Sequence, residues 1–166
     1  LLTARLETPP PHGELLLDPD GSFVYSPTTD YNGVVSFTYR AYDGWDESDP
    51  VAVDLHVTPV NDAPQVMNDA YLTSDEKDLE IPGPGVLAND RDVDGDKLRA
   101  LLEAPPQGGE LKLQEDGSFR YTPEPGQFGD FAFTYRASDG QVNSRPATVT
   151  ITVAESLPVY LPLIRR

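Results

Sequence analysis

The sequence predicts an all-β chain of two tandem β-sandwiches, the first lacking its N-terminal strands. Three observations carry this. A long segment of the chain repeats at a fixed offset, its apolar residues alternate with period two, and Asp-Gly pairs separate the alternating runs. The 17 prolines and 13 glycines among 166 residues suit short strands joined by many turns.

The repeat organises the chain. Residues 9–27, PPPHGELLLDPDGSFVYSP, return at 105–123 as PPQGGELKLQEDGSFRYTP, and FTYRAYDG at 37–44 returns at 133–140 as FTYRASDG. Phe23 matches Phe119 and Phe37 matches Phe133, both at an offset of 96. The match runs without a gap from Leu2/Leu98 to Val57/Val153, with about half its positions identical. A period near 100 residues is about the size of one immunoglobulin-like sandwich. The expected division is an incomplete sandwich over 1–60, a complete one over 61–154 and an apolar tail over 155–166. Copy one has no counterpart to 61–97, and Pro59-Val60-Asn61-Asp62-Ala63-Pro64 forms a short, stiff linker.

Strands follow from the pattern. Phe131, Phe133, Tyr135 and Ala137 alternate with Ala132, Thr134, Arg136 and Ser138. Ala147, Val149, Ile151 and Val153 alternate with threonines, and Val51, Val53, Leu55 and Val57 follow the same period. Shorter strands near 70–73, 79–81, 98–103, 110–113 and 118–121 bring the complete copy to about seven. Asp-Gly at 20–21, 43–44, 116–117 and 139–140 favours tight hairpin turns. The stripes Phe23, Tyr25, Phe37, Tyr39 and Phe119, Tyr121, Phe133, Tyr135 sit at alternating positions and read as core. Trp45, where copy two has Gln141, is either a plain turn residue or a contact point.

The net charge of −16 excludes nucleic acid as a partner, since neutralising phosphates needs clustered Lys and Arg. Without cysteine there is no disulfide, zinc–thiolate or thiol chemistry. No apolar run reaches the ~18–20 residues of a membrane helix, so no membrane span is expected. The chain opens Leu1-Leu2-Thr3, as a processed or truncated piece of something longer would. His12 and His56 lie in unlike contexts with no triad around them, and no Gly-rich phosphate loop exists, so the chain is expected to be a non-enzyme.

Several features together resemble the cadherin-like tandem repeats of bacterial surface adhesins. They are Asn61-Asp62-Ala63-Pro64, the run from Gly85-Val86-Leu87-Ala88-Asn89-Asp90 to Asp96, Asp116-Gly117-Ser118-Phe119, and Phe133-Thr134-Tyr135. The resemblance implies a cadherin- or immunoglobulin-like sandwich, a place outside the cell or on a bacterial cell surface, and adhesion or a stalk role. It also implies calcium in many members. The departure is copy one, which lacks the acidic run.

That run places Asp90, Asp92, Asp94 and Asp96 at alternate positions, with Asn89 ahead. Carboxylates so close repel one another, and a hard cation such as calcium, which takes ~6–8 oxygen ligands, relieves the repulsion. An EF-hand loop would need Glu where Leu101 stands. By the resemblance, the expected site is junctional, with Asp62 of the linker and either Asp75 or Glu76 approaching Asn89, Asp90, Asp92, Asp94 and Asp96. The bland alternative is a solvated acidic turn.

The tail is apolar at Leu157, Val159, Tyr160, Leu161, Leu163 and Ile164, ends in two arginines, and is the net-basic piece of the chain. It is the candidate donor strand for the gap in copy one of another subunit, which would join copies head to tail into a filament. Pro158 and Pro162 count against it, since each removes a ladder donor. The alternatives are a tail folded on its own sandwich or used as a sorting signal, in a calcium-binding stalk or adhesion segment of a larger adhesin beside neighbouring repeats. The adhesion ligand is not encoded in any recognisable motif.

Overall fold

A computed structural model describes residues 1–75 and 77–155. They form two compact units, Leu1–Val60 and a second that starts at Asn61. Both are built from antiparallel hairpins whose alternating sequences put one face on a core. No helix among the described residues is long and apolar enough to cross a membrane.

Unit 1 has five strands: β1 (Thr3–Thr8), β2 (Glu14–Leu17), β3 (Phe23–Ser26), β4 (Gly33–Tyr42) and β5 (Val51–Val57). They pair as a sheet β1-β4-β5 and a hairpin β2-β3. Unit 2 has seven: β6 (Asp69–Ser74), β7 (Leu79–Ile81), β8 (Arg99–Ala104), β9 (Glu110–Leu113), β10 (Phe119–Thr122), β11 (Gly129–Ser138) and β12 (Ala147–Ala154). A single 3-10 turn, Gly85–Leu87, precedes β8. The sheets of unit 2 are β6-β12-β11-β8 and β7-β10-β9, with β6 parallel to β12. The all-β reading and the two sandwiches hold, and the shorter strands fall within a residue or two of their expected positions.

The sequence repeat is also a structural repeat. β1 to β5 recur as β8 to β12, and even the irregularities match. β1 skips Glu7 in its pairing with β4, as β8 skips Glu103 in its pairing with β11. Each bulge aims a carboxylate at an arginine on the neighbouring strand: Glu7 at Arg40, 2.8 Å, and Glu103 at Arg136, 2.6 Å. Each arginine also donates to a serine carbonyl, Ser48 or Ser144, at 2.9 Å.

Not every Asp-Gly pair closes a tight hairpin. Asp20-Gly21 and Asp116-Gly117 lie in the β2–β3 and β9–β10 turns. Asp43-Gly44 and Asp139-Gly140 instead sit in longer loops, inside turns closed by the Tyr42↔Glu47 and Ser138↔Asn143 bridges.

The core of unit 2 gathers Val86, Phe119, Tyr121, Phe133, Tyr135, Val149 and Ile151, all fully or almost fully buried. Phe119 sits edge-on to Tyr71 and Phe133 with ring centroids 5.1 and 5.6 Å apart. Unit 1 buries Val35 and Phe37 in the same way but leaves Phe23 42% exposed, where its counterpart Phe119 is 3% exposed. The difference lies in β6, β7 and the 3-10 turn, which have no equivalent among the described residues of unit 1.

Candidate metal centre

The acidic run lies in the loop between the 3-10 turn and β8. Its fold is set locally. Asp90 N–H donates to Leu87 O, continuing the turn. Asp92 Oδ1 then accepts from Asp94 N–H at 3.0 Å and Asp96 N–H at 3.2 Å, the side-chain turn that Asp forms with its own backbone. The linker is tied alongside by a backbone bridge, Gln65 N–H to Arg91 O at 2.8 Å and Arg91 N–H to Gln65 O at 2.9 Å.

The expected ligands fall into two groups. The inner group surrounds the start of β6. Asn89 Nδ2 donates to Asp69 Oδ1 at 3.1 Å, and Asp90 Oδ1 accepts from Met67 N–H at 3.0 Å. Tyr135 Oη lies 2.8 Å from Asp90 Oδ2 and 2.6 Å from Val86 O. The outer group carries Asp94, whose Oδ2 accepts from Asp62 N–H at 2.9 Å, and Asp96. Asp90, Asp92, Asp96 and Lys97 line one shallow groove of about 380 Å³ with Asp116. Asp92 spans both groups, with one oxygen capping the turn and the other buried. Asn61 is clasped separately: its amide donates to Asp139 Oδ2 at 2.8 Å and accepts from Gln141 Nε2 at 2.6 Å.

Electrostatics concentrate on the inner group. Burial, then the charge of Asp90, push the Asp69 carboxyl up to about 6. Burial also raises Asp90 and Tyr135. The Tyr135 hydroxyl has one proton and two acceptors in reach. Its bond to Asp90, like that from the Met67 N–H, lowers the Asp90 carboxyl, against the larger effect of burial, which raises it.

Three acceptor oxygens remain buried without a hydrogen-bond partner: Asp69 Oδ2, Asn89 Oδ1 and Asp92 Oδ2. An orphaned buried acceptor costs about 1–3 kcal/mol. Carboxylate and amide oxygens are the donor set that calcium takes, so these residues fit a hard cation. Among the described residues no three carboxylates or imidazoles already converge at one point. The oxygens are therefore present but not drawn together into a closed cage.

Two placements refine the sequence reading. Asp69, a central member of the inner group, was not among the expected residues. Its signal was an acid at an inward strand position, since Asp69, Tyr71 and Thr73 face in while Ala70 and Leu72 face out. Asp75 follows the far end of β6, about 20 Å along the strand from Asp69 at ~3.3 Å per residue, so it does not approach the acidic loop. Glu76, and the tail residues Leu157, Val159, Tyr160, Leu161, Leu163 and Ile164, lie outside the described residues. Of the histidines, His12 stacks on Tyr31 at 4.5 Å and His56 faces out from β5.

Comparison with known proteins agrees with this architecture. Residues 1–58 match the family described as "Cadherin-like domain". The chain is 31% identical over 152 residues to "Integrin beta-like protein B" of Dictyostelium discoideum, covering 78% of this chain and 8% of that protein. It is 27% identical over 137 residues to "Extracellular matrix protein 3" of Lytechinus variegatus, covering 72% and 4%. It thus spans a small fraction of either relative. Among solved structures it is similar to human protocadherin-24 EC1-2, with TM-score 0.65, 16% identity, and 93% and 82% of the two chains covered. That likeness shows the fold. Residues 61–155, more than half of the sequence, match the family described as "Bacterial cadherin-like domain", and the chain belongs to that family.

Proposed function

We propose that the chain is a non-enzymatic, extracellular adhesion or stalk segment whose second unit binds calcium where the linker meets the acidic loop. The observation that carries this is the set of three buried, unpartnered oxygens on Asp69, Asn89 and Asp92. Asp69, Asn89, Asp90 and Asp92 would hold the ion, with Asp62, Asp94 and Asp96 beside them. A bound cation would relieve the repulsion among these carboxylates. Because Asp62 belongs to the linker, Gln65 directly follows it, and Asp94 and Arg91 belong to the loop, binding there would stiffen the way the linker joins unit 2. A place outside the cell is supported by the family and by the matrix protein among the relatives, and a bacterial surface by the family's description.

The test is a calcium titration of chelator-treated protein, followed by scanning calorimetry with magnesium as the comparison. Saturating calcium is expected to raise the melting temperature of unit 2, since a ligand of the native state stabilises it. An unchanged melting temperature removes the calcium site.

A second reading concerns assembly, and the observation favouring it is that β3 and β5 each have one unpaired edge among the described residues. An open edge beside exposed core is a template for strand addition. A donor from another copy would join subunits head to tail into a filament. The sequence names 157–166 as that donor. Deleting 157–166 and measuring assembly by electron microscopy tests it: unchanged filaments refute a donor role for the tail.

A further inference from the structure

The turn ahead of β4 is built like the turn ahead of β11, with one residue of different chemistry. In unit 1 Tyr31 N–H donates to Thr28 O at 3.1 Å, and Gly33 follows at φ +127°. In unit 2 Gln127 N–H donates to Glu124 O at 3.1 Å, and Gly129 follows at φ +109°. That backbone region favours glycine, so the turn itself calls for a residue without a side chain. Ahead of the glycine stands Phe128 in unit 2 and Asn32 in unit 1. Phe128 is 47% exposed within its seven-stranded sandwich, so the turn presents this position to solvent, and Asn32 is exposed as well.

The other four asparagines are restrained. Asn61 is clasped by Asp139 and Gln141. Asn68 Oδ1 accepts from Thr148 N–H at 2.9 Å, and Asn89 Nδ2 donates to Asp69 Oδ1 at 3.1 Å. Asn143 is exposed, but the amide that follows it, Ser144 N–H, is spent on Ala137 O at 2.8 Å. Asn32 differs on both counts. Among the described residues no hydrogen bond holds its carboxamide. Gly33 forms the outermost rung of β4 with β5, opposite Val57, where strands fray. Tyr31 Oη donates to Val34 O at 3.0 Å and so braces the chain on both sides of the Asn-Gly pair.

We infer that Asn32-Gly33 is a site of spontaneous self-modification, at which the chain converts an amide into a carboxylate and loosens the end of β5. The Gly33 backbone nitrogen gives up its proton and bonds to Asn32 Cγ. The Cγ–Nδ2 bond breaks, and Nδ2 leaves as ammonia carrying that proton. Water, the one co-reactant, then opens the five-membered imide. Cleavage between the nitrogen and Cγ leaves aspartate at position 32, and cleavage between the nitrogen and the main-chain carbonyl leaves isoaspartate. Glycine permits the attack because no side chain shields its nitrogen. Either product takes the net charge from −16 to −17. Isoaspartate also adds one carbon to the main chain just ahead of β4, about 1.5 Å. That addition draws the Gly33–Val57 rung out of register, and Val57 is the last residue of β5.

The experiment incubates the full chain in warm, mildly alkaline buffer and follows peptide masses with time, for the parent, Asn32→Gln and Phe128→Asn. The peptide holding Asn32 is expected to gain about one mass unit and to split into two species of equal mass. Its gain is expected to be about tenfold faster, or more, than at any other asparagine. Asn32→Gln is expected to abolish the gain, because the longer side chain must close a larger ring. Phe128→Asn places the same pair in the matching turn and is expected to gain mass at position 128 at a comparable rate. Hydrogen exchange of the last amides of β5 is expected to quicken about tenfold in the isoaspartate form. Asn32→Asp, which carries the charge without the extra carbon, is expected to leave that exchange unchanged. A mass gain at Asn143 or another asparagine ahead of Asn32 overturns the site. A Phe128→Asn chain with no gain at position 128 overturns the turn as its cause. Unchanged exchange in the isoaspartate form overturns the loosening of β5.

Discussion

Asp69 gives the sharpest test of the inner pocket, through the substitution Asp69→Asn measured without divalent cations. Its carboxyl is pushed up to about 6 in the folded chain, by burial and then by Asp90. The native state therefore holds the proton more tightly than the unfolded state. The sign follows from linkage: stability is highest below the ordinary carboxylate range, falls as pH rises through it, and is fully reduced above about 6. A shift of roughly two units corresponds to about 3 kcal/mol at most, and partial solvent access reduces this to about 2. Asparagine cannot ionise, so Asp69→Asn is expected to be about 2 kcal/mol more stable than the parent at pH 7. That is a rise of roughly 10 °C for a domain of this size. The same substitution flattens the pH dependence between about 4 and 6 and removes most of the stabilisation by calcium. The assay is calorimetry of unit 2 over pH 4–8 in chelator, then in calcium. A variant less stable at pH 7 than the parent, or one keeping the parent's pH slope, refutes the account of Asp69 as a carboxyl raised by burial and by Asp90.

Other perturbations follow from the packing. Val86→Ala removes two methyl groups from a fully buried site and is expected to cost unit 2 about 2–3 kcal/mol in urea denaturation. Ser144→Ala is expected to cost about 1–2 kcal/mol, because its buried Oγ bonds Ala137 N–H at 2.9 Å and Arg145 O at 2.7 Å. Glu103→Gln should change stability by less than about 1 kcal/mol and lose that effect in high salt, since its pair with Arg136 is partly exposed.

Most of the fold was legible because period and repeat are strong signals. Ala147 to Val153 alternate without a break, and a single offset of 96 carries every strand of unit 1 onto one of unit 2. The metal centre was less legible. The acids at 90, 92, 94 and 96 are visible as a run, but a run says nothing about which side chains turn inward. Asp90 does so because Tyr135 and the Met67 amide receive it, and both are distant in sequence. Asp69 was hidden by its setting, a lone acid at the start of a strand. The two longer Asp-Gly loops were read as tight hairpins because the dipeptide reports a local turn and not the length of the connection around it.

The parallel pairing of β6 with β12 has a consequence for load. Asp69 lies opposite Val149 and Ser74 opposite Ala154, six rungs in all. Chain enters at the Asp69 end and leaves at the Ala154 end, so tension along the chain pulls the two strands lengthwise past each other. All the rungs then resist together, where an antiparallel hairpin pulled from its open end would unzip rung by rung. Unit 2 is thus a mechanical clamp.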